Sequence, residues 1–390
     1  MPWKEACVMS LRAEFVQLAS QEGANVRELC RRYAISSKTA YKWLKRHREG
    51  GAAALSDRSR KPHGSPHRTS PEIEALVLQL RDEHPAWGGR KLRAVLIRRE
   101  LAKTPAAGTI TEILRRHGRL NAAESSQHRA FTRFEHAAPN DLWQMDFKGH
   151  FGLEDRNRCH PLTVLDDHSR FNIGLRACGD QQGTTVRREL TSMFRRYGLP
   201  RRMLMDNGSP WGDDAEHPYT PLTVWLLRLN IGVSHGRPYH PQTQGKDERF
   251  HRTLKLELLS RGPFRTLADC QPRFDPWRDV YNQERPHEAL EMQPPAGRYR
   301  SSERAFPESV PPLEYALDCQ VRKVQMGGRF AFHGHQFRVS RAFRGYPIGL
   351  RPTLEDGRWS VRFGEHLLGE IDLRTATEPI TPVRLRRPED

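Results

Sequence analysis

The sequence predicts a multidomain chain: helical modules at the amino end, an α/β core in the middle and a small β-barrel at the carboxyl end. Three observations predict it. Up to about residue 118 apolar side chains recur at helical spacing, from 140 short apolar runs alternate with helices, and past 310 the apolar period drops to two. A length of 390 residues suits several domains, and 36% hydrophobic residues with 8 Trp and 16 Phe supply several cores rather than one large globule.

The formal net charge of +17 calls for a polyanionic partner, since every neutralised phosphate releases counterions. The six cysteines, at positions 7, 30, 159, 178, 270 and 319, form no Cys-x-x-Cys pair, and the 18 histidines show no metal-ligand spacing beside them. Neither a disulfide framework nor a zinc site is suggested. No apolar run is long enough to span a bilayer, and the first residues do not read as a signal peptide. A cytoplasmic protein without a membrane partner is expected, which in a bacterium includes the nucleoid.

Residues 1–50 make the first module. Leu11, Phe15, Leu18 and Ala19 give one buried stripe, Val26 to Tyr33 a second helix, and Ser36 an N-cap for a third. On that third helix Ala40, Trp43 and Leu44 turn inward, leaving Ser37, Lys38, Thr39, Tyr41, Lys42 and Lys45 for a DNA groove. The layout is helix-turn-helix. Residues 51–69 read as an extended basic linker. In a second helix-turn-helix-like module, 70–130, Ser70-Pro71 opens a helix lined by Ile73, Leu76, Val77 and Leu80. Thr109 and Glu112 form a capping box, and Arg90, Lys91, Arg115 and Arg116 are further candidate DNA contacts. Phe131 and Phe134 are expected to dock on the next domain.

Residues 131–300 change character. Strands at Leu142–Phe147, Leu162–Asp167 and Phe171–Leu175 form a meander, followed by a helix over Thr184–Tyr197 and a strand ending at Asp206. A helix (Pro221–Leu229), a strand (Ile231–Ser234), a helix carrying Glu248 and a last long helix (Thr266–Gln283) complete the order of an RNase H-like fold. Asp146 stands in a strand whose neighbours Met145 and Phe147 face the other way, and Asp206 ends the neighbouring strand. With Glu248 on a helix whose Phe250, Leu254 and Leu258 face the core, hard oxygens on rigid elements suit an octahedral divalent cation.

Two segments carry a family likeness: Leu204-Met205-Asp206-Asn207-Gly208, and Pro241-Gln242-Thr243-Gln244-Gly245-Lys246-Asp247-Glu248-Arg249. They resemble the integrase core of DDE transposases, and nearly the whole chain resembles an insertion-sequence transposase with a retroviral-integrase-like catalytic core. The resemblance implies Asp146, Asp206 and Glu248 as catalytic residues and ligands of two Mg²⁺ ions, with Mn²⁺ able to substitute. It implies an enzyme that binds transposon ends, cleaves the 3′ strand with water and transfers the 3′-hydroxyl into target DNA, working as a homo-oligomer on double-stranded DNA. Lys246, Arg249, Arg252 and Lys255 become candidate contacts to phosphates, the last two lying at i+4 and i+7 from Glu248. Tyr281-Asn282-Gln283-Glu284-Arg285-Pro286-His287 matches another family segment and reads chiefly as packing.

Departures from the family pattern add competing carboxylates. The 42 positions between Asp206 and Glu248 exceed the usual interval, and the excess fits a loop over Ser209–Tyr219 with Asp213, Asp214 and Glu216. Asp247 is expected to point about 100° away from Glu248. Asp166 and Asp167 also end a strand, which leaves a share in the metal site open; the resemblance implies structural or hydrogen-bonding roles for them instead. His235 to Gln244 suits gripping a DNA strand. The alternation over 310–376, from Val321 and Val324 to Ile371 and Leu373, predicts an SH3-like barrel that holds DNA or protein, before a disordered basic tail, 377–390. Two other functions stand beside the transposase: a DNA-binding regulator on the same scaffold, and a nuclease without strand transfer.

Overall fold

The computed structural model describes residues 8–57, 69–101, 103–120, 135–212, 219–235, 245–376 and 378–385. It divides into two compact units, Met1–Thr69 and Ser70–Asp390. No helix among the described residues is long and apolar enough to cross a membrane.

The first unit holds α1 (Val8–Ala19), α2 (Val26–Arg32) and α3 (Ser37–Gly50). Ser36 caps α3 as expected, its hydroxyl accepting the Thr39 N–H at 3.2 Å. Ala40, Trp43 and Leu44 pack with Phe15, Val16 and Cys30. Two corrections concern its edges. Leu11 is 40% exposed, because the buried face of α1 runs through Phe15 and Val16. On that face Arg12 lays its guanidinium 4.0 Å over the Trp43 ring and reaches the Leu55 carbonyl at 3.0 Å. The start of the supposed linker is also folded: Ala52–Leu55 make a 3₁₀ turn and Leu55 is buried. The remaining linker, 58–68, lies outside the described residues, as do Phe131 and Phe134.

The second unit opens with α4 (Pro71–Glu83), α5 (Gly89–Arg98) and α6 (Ala107–Arg116) around Val77, Leu80, Trp87, Leu92 and Leu96. Ser70 caps α4 with Pro71 in its first turn. The capping box at Thr109 and Glu112 is not formed. The helix begins earlier, at Ala107, because Gly89 lets α5 meet it closely: a Cβ at Gly89 would stand 2.4 Å from the Ala107 carbonyl oxygen.

The core follows: β1 (Leu142–Phe147), β2 (Phe151–Gly152), β3 (Arg158–Asp166), β4 (Asn172–Cys178), α7 (Gly183–Tyr197), β5 (Arg202–Met205), α8 (Pro221–Arg228), β6 (Gly232–His235), α9 (Gly245–Leu254) and α10 (Leu267–Gln283). β3 runs antiparallel to β1 and β4, whereas β5 lies parallel to β1 and β6 parallel to β5. This is the mixed sheet and element order expected of an RNase H-like core. Successive side chains alternate between faces. Trp143, Met145, Leu162, Val164, Met203 and Met205 pack with the helices α7 and α8, and Leu165 and Leu175 pack with α9 and α10.

α7 ends at Gly198, whose φ of +77° is a left-handed conformation and whose Cβ would meet the Ser302 carbonyl oxygen at 2.6 Å. Gly198→Ala should therefore lower stability by about 1–3 kcal/mol, read as a lower urea midpoint with an unchanged slope. A midpoint equal to the parent's would show that the strap at Ser302 yields.

The carboxyl end contains β7 (Gln320–Lys323), β8 (Arg329–Phe332), β9 (His335–Arg338), β10 (Pro347–Pro352), β11 (Arg358–Phe363), β12 (His366–Asp372), β13 (Thr381–Pro382) and β14 (Arg384–Leu385). Phe330, Phe332, Phe337, Val361 and Phe363 are buried as the alternation required, but Val321 is 44% exposed. The strands form a five-stranded sheet and a three-stranded sheet. The tail is likewise not all loose: β13 pairs with β9 and β14 with β12, with Val383 buried between them.

Candidate active site at the carboxyl edge of the sheet

Gln144 pairs with Leu204 in the parallel β1–β5 ladder. Two residues further along each strand come Asp146 and Asp206, so the same register carries both to the carboxyl edge, on strands spaced about 4.8 Å apart. Asp146 faces away from Met145, toward α9. Its carboxyl is pushed up to about 7, first by burial and then by the charge of Asp206. The Asp206 main-chain oxygen accepts a hydrogen bond from His235 Nδ1 at 2.8 Å, tying the end of β5 to β6.

A relay of hydrogen bonds holds Asp146. Thr163, opposite it on β3, donates its hydroxyl to the Asp146 carbonyl at 2.9 Å. That hydroxyl also lies 2.8 Å from His251 Nε2. With its proton already given to Asp146, the threonine oxygen accepts from Nε2–H, which leaves Nδ1 unprotonated, 3.8 Å from Asp146 Oδ2. Burial, helped by Lys148, lowers the His251 pKa to about 3, so the ring is neutral. Sequence reasoning missed His251. The available signal was its place on α9, four residues after Asp247 on the same face.

His251 also gives a pH test. Its folded pKa lies below the ordinary 6.5, so its contribution is complete above pH 6.5 and is lost as pH falls toward 3. His287, half-buried with its ring against Tyr281, is lowered in the same direction. Each ring should add a decline of up to about 1.4 kcal/mol per pH unit below pH 6.5, opposed by the raised carboxyls of Asp146 and Asp247. His251→Asn should flatten that decline in urea titrations. An unchanged slope would remove His251 from the acid response.

The α9 helix corrects one expectation. Asp247, Phe250, His251 and Leu254 are its buried residues, with buried Leu258 beyond its end, whereas Glu248 is exposed. Asp247 leads the apolar positions by 3, 7 and 11 residues and so shares their face. Its carboxyl is therefore on the buried side of α9, and the side turned about 100° away is that of Glu248. Burial first, then the charges of Asp146, Asp167 and Asp206, hold it well above the usual carboxylate range. Asp247 Oδ1 is buried and finds no hydrogen-bond partner among the described residues.

Asp166 and Asp167 have structural partners. Asp166 accepts from the Asn140 N–H at 2.7 Å and from the Ser169 N–H and hydroxyl at 2.8 and 2.6 Å. Asp167 accepts from the His136 N–H at 2.9 Å, from Gln144 Nε2 at 2.7 Å and from Lys246 Nζ. Lys246, expected on DNA, is thus turned inward. Asp213, Asp214, Glu216 and residues 236–244 lie outside the described residues. The described ends of the loop over Ser209–Tyr219 are held in place: Trp211 stacks on Phe147 at 5.7 Å, and Thr220 donates to the Pro210 carbonyl at 3.0 Å.

The expected DNA contacts divide. On α3, Ser37, Lys38, Tyr41, Lys42 and Lys45 are exposed, Tyr41 by 58%, while Thr39 is half-buried with its hydroxyl 3.0 Å from that of Ser36. On α9, Arg249 and Arg252 are exposed, as is Lys255, which opens a π-helical turn, Lys255–Leu259. In the second module the cations meet carboxylates of the chain itself. Arg90 pairs with Glu288 at 2.9 Å, Arg116 with buried Glu74 at 3.0 Å, and Arg115 with Glu112. Lys91 is half-buried, its pKa pushed down to about 8 by burial and by Arg285. The segment that spans the end of α10 packs as read: the Asn282 side chain brackets Asn172 at 2.8 and 3.0 Å, and Arg285 pairs with Glu257 at 2.9 Å.

No three His, Cys, Asp or Glu side chains among the described residues form a preformed metal cage. The donors nevertheless suit a hard cation. Asp146 and Asp206 share an edge, the charge of Asp206 raising the cost of ionising Asp146, and an unsatisfied carboxyl oxygen of Asp247 is buried beside them.

Comparisons with known proteins agree with this architecture. Family models described as "Integrase core domain" match residues 136–241 and 229–295, and "IS481 family transposase, C-terminal domain" matches 319–379. "Helix-turn-helix domain" matches 11–63 and "Homeodomain-like domain" 39–114. An uncharacterized 39.2 kDa protein of insertion element IS476 from Xanthomonas euvesicatoria is 30% identical over 40% of this chain and 44% of its own. A putative transposase for insertion sequence element IS5376 from Geobacillus stearothermophilus is 23% identical over 59% of this chain and 58% of its own. The chain spans about half the length of these relatives. The magnesium complex of the HTLV-2 integrase catalytic core is 15% identical, with a TM-score of 0.34 over 42% of this chain and 99% of that one.

Proposed function

We propose that this chain, which carries the helix-turn-helix, integrase-core and IS481-family modules of an insertion-sequence transposase, is a polynucleotidyl transferase of DDE type. It binds the ends of a transposable element, cleaves the 3′ strand with water and joins the new 3′-hydroxyl to target DNA. The observation that carries this reading is the β1–β5 register, which brings Asp146 and Asp206 side by side against a helix bearing two further carboxylates.

Asp146, Asp206 and Glu248 hold two Mg²⁺ ions, for which Mn²⁺ substitutes. When bound, such a pair activates the attacking oxygen and offsets charge at the leaving one. His251 and Thr163 keep Asp146 at the edge of β1, His235 does the same for the Asp206 backbone, and Arg249, Arg252 and Lys255 receive the phosphates flanking the reacting bond. The exposed α3 face reads the element end. Two ends must meet one target, so the working form is a homo-oligomer on double-stranded DNA, in the cytoplasm and on the nucleoid.

A labelled duplex ending in the element's terminal repeat tests this. With Mg²⁺ the full chain should nick it at the 3′ end and spare an unrelated duplex. Equal cutting of both would make the chain a nonspecific nuclease, and binding without cutting would make it a regulator.

A further inference from the structure

We infer that Asp247 is a fourth carboxylate of the centre, holding the divalent cation from the core side of α9 while Glu248 stands on its solvent side. The inference rests on the reading above, that the centre binds a divalent cation.

The other buried carboxylates are accounted for by partners. Asp166 takes three hydrogen bonds around Ser169 and Asn140, Asp167 is met by His136, Gln144 and Lys246, Glu257 by Arg285, and Glu74 by Arg116. Asp247, only 6% exposed, is different: its Oδ1 is buried without a partner. A buried, unpaired carboxylate oxygen is costly unless something absent from the protein itself completes it. Its surroundings select what that is. The charges acting on it are those of Asp146, Asp206 and Asp167, and the adjacent Lys246 is committed to Asp167. Three further carboxylates acting on one unsatisfied buried carboxyl oxygen suit a small divalent cation rather than an anion. No residue spacing in the sequence would have separated Asp247 from Glu248, because both fall in one helical turn.

The test is Mn²⁺ binding to the full chain, followed by loss of the free-ion paramagnetic resonance signal, with thermal unfolding measured with and without Mn²⁺. Asp247→Asn and Asp247→Val should each weaken Mn²⁺ binding by about tenfold or more and reduce the Mn²⁺-induced rise in Tm. Neither should lower the Tm of the cation-free protein, since each removes an unsatisfied buried carboxylate. Asp146→Asn is the reference. If it weakens Mn²⁺ binding while both Asp247 variants bind like the parent, Asp247 lies outside the centre and the inference is overturned. If the parent takes up no Mn²⁺, or Asp146→Asn binds it unchanged, the cation reading itself fails and the inference falls with it.

Discussion

Asp146→Asn should cost on the order of 10³-fold in 3′-end cleavage while leaving binding to the element end unchanged. Asparagine keeps the size of the side chain, and the hydrogen bond that holds this point of β1 comes from Thr163 to the main chain. The fold should therefore survive. What is lost is one anionic oxygen from a pair whose register brings it beside Asp206. On the proposed reading the element end is recognised by the exposed face of α3, so a gel shift on the terminal repeat should not move. Single-turnover cleavage under Mg²⁺ reads the effect, and Asp206→Asn should behave alike. A variant that cuts within about tenfold of the parent would mean that the chemistry does not depend on this carboxylate.

The second large effect is expected at Glu257. It lies in the π-helical turn after α9, almost fully buried, and pairs with the equally buried Arg285 beyond α10 at 2.9 Å. Glu257→Ala leaves the guanidinium without its anion in a low-dielectric setting, which costs about 3–5 kcal/mol. The urea midpoint of residues 70–390 should fall accordingly. Glu257→Leu combined with Arg285→Met should recover most of the loss, because the penalty lies in the stranded charge more than in the pair's own worth. A loss below about 1 kcal/mol in the single variant would show that water reaches Arg285. The pair also fixes where α9 leaves the sheet, so the single variant should slow cleavage even where it remains folded.

These effects show which parts of the molecule were legible in the sequence. Asp146 and Asp206 were, because a period of two sends Met145 and Phe147 into one core and leaves the aspartate on the other face. The cap at Ser36 and the inward Trp43 were legible for the same local reason: hydroxyl chemistry and helical spacing act within one turn. The Asp247–Glu248 choice was not. It depends on which side of α9 meets the sheet, and Phe250, Leu254 and Leu258 decide that only when counted from Asp247. Lys246, Arg90 and Arg116 look like solvent cations until the fold brings Asp167, Glu288 and Glu74 to them. Long-range ion pairs leave no mark at short spacing. The false capping box at Thr109 is a tertiary effect too, since the close approach at Gly89 starts α6 before it. At the carboxyl end alternation assigns faces but not partners, so the division into a five-stranded and a three-stranded sheet was not legible.

The most direct measurement is joining. The purified chain is incubated with Mg²⁺, a labelled element end and an unlabelled supercoiled plasmid, and the label is followed into plasmid-sized DNA. Covalent transfer through the 3′-hydroxyl is expected, absent with a chelator and absent when the end terminates in a dideoxynucleotide. Label that enters the plasmid despite the dideoxy terminus or the chelator, or plasmid nicking with no transfer at all, would contradict strand transfer at the Asp146–Asp206 centre.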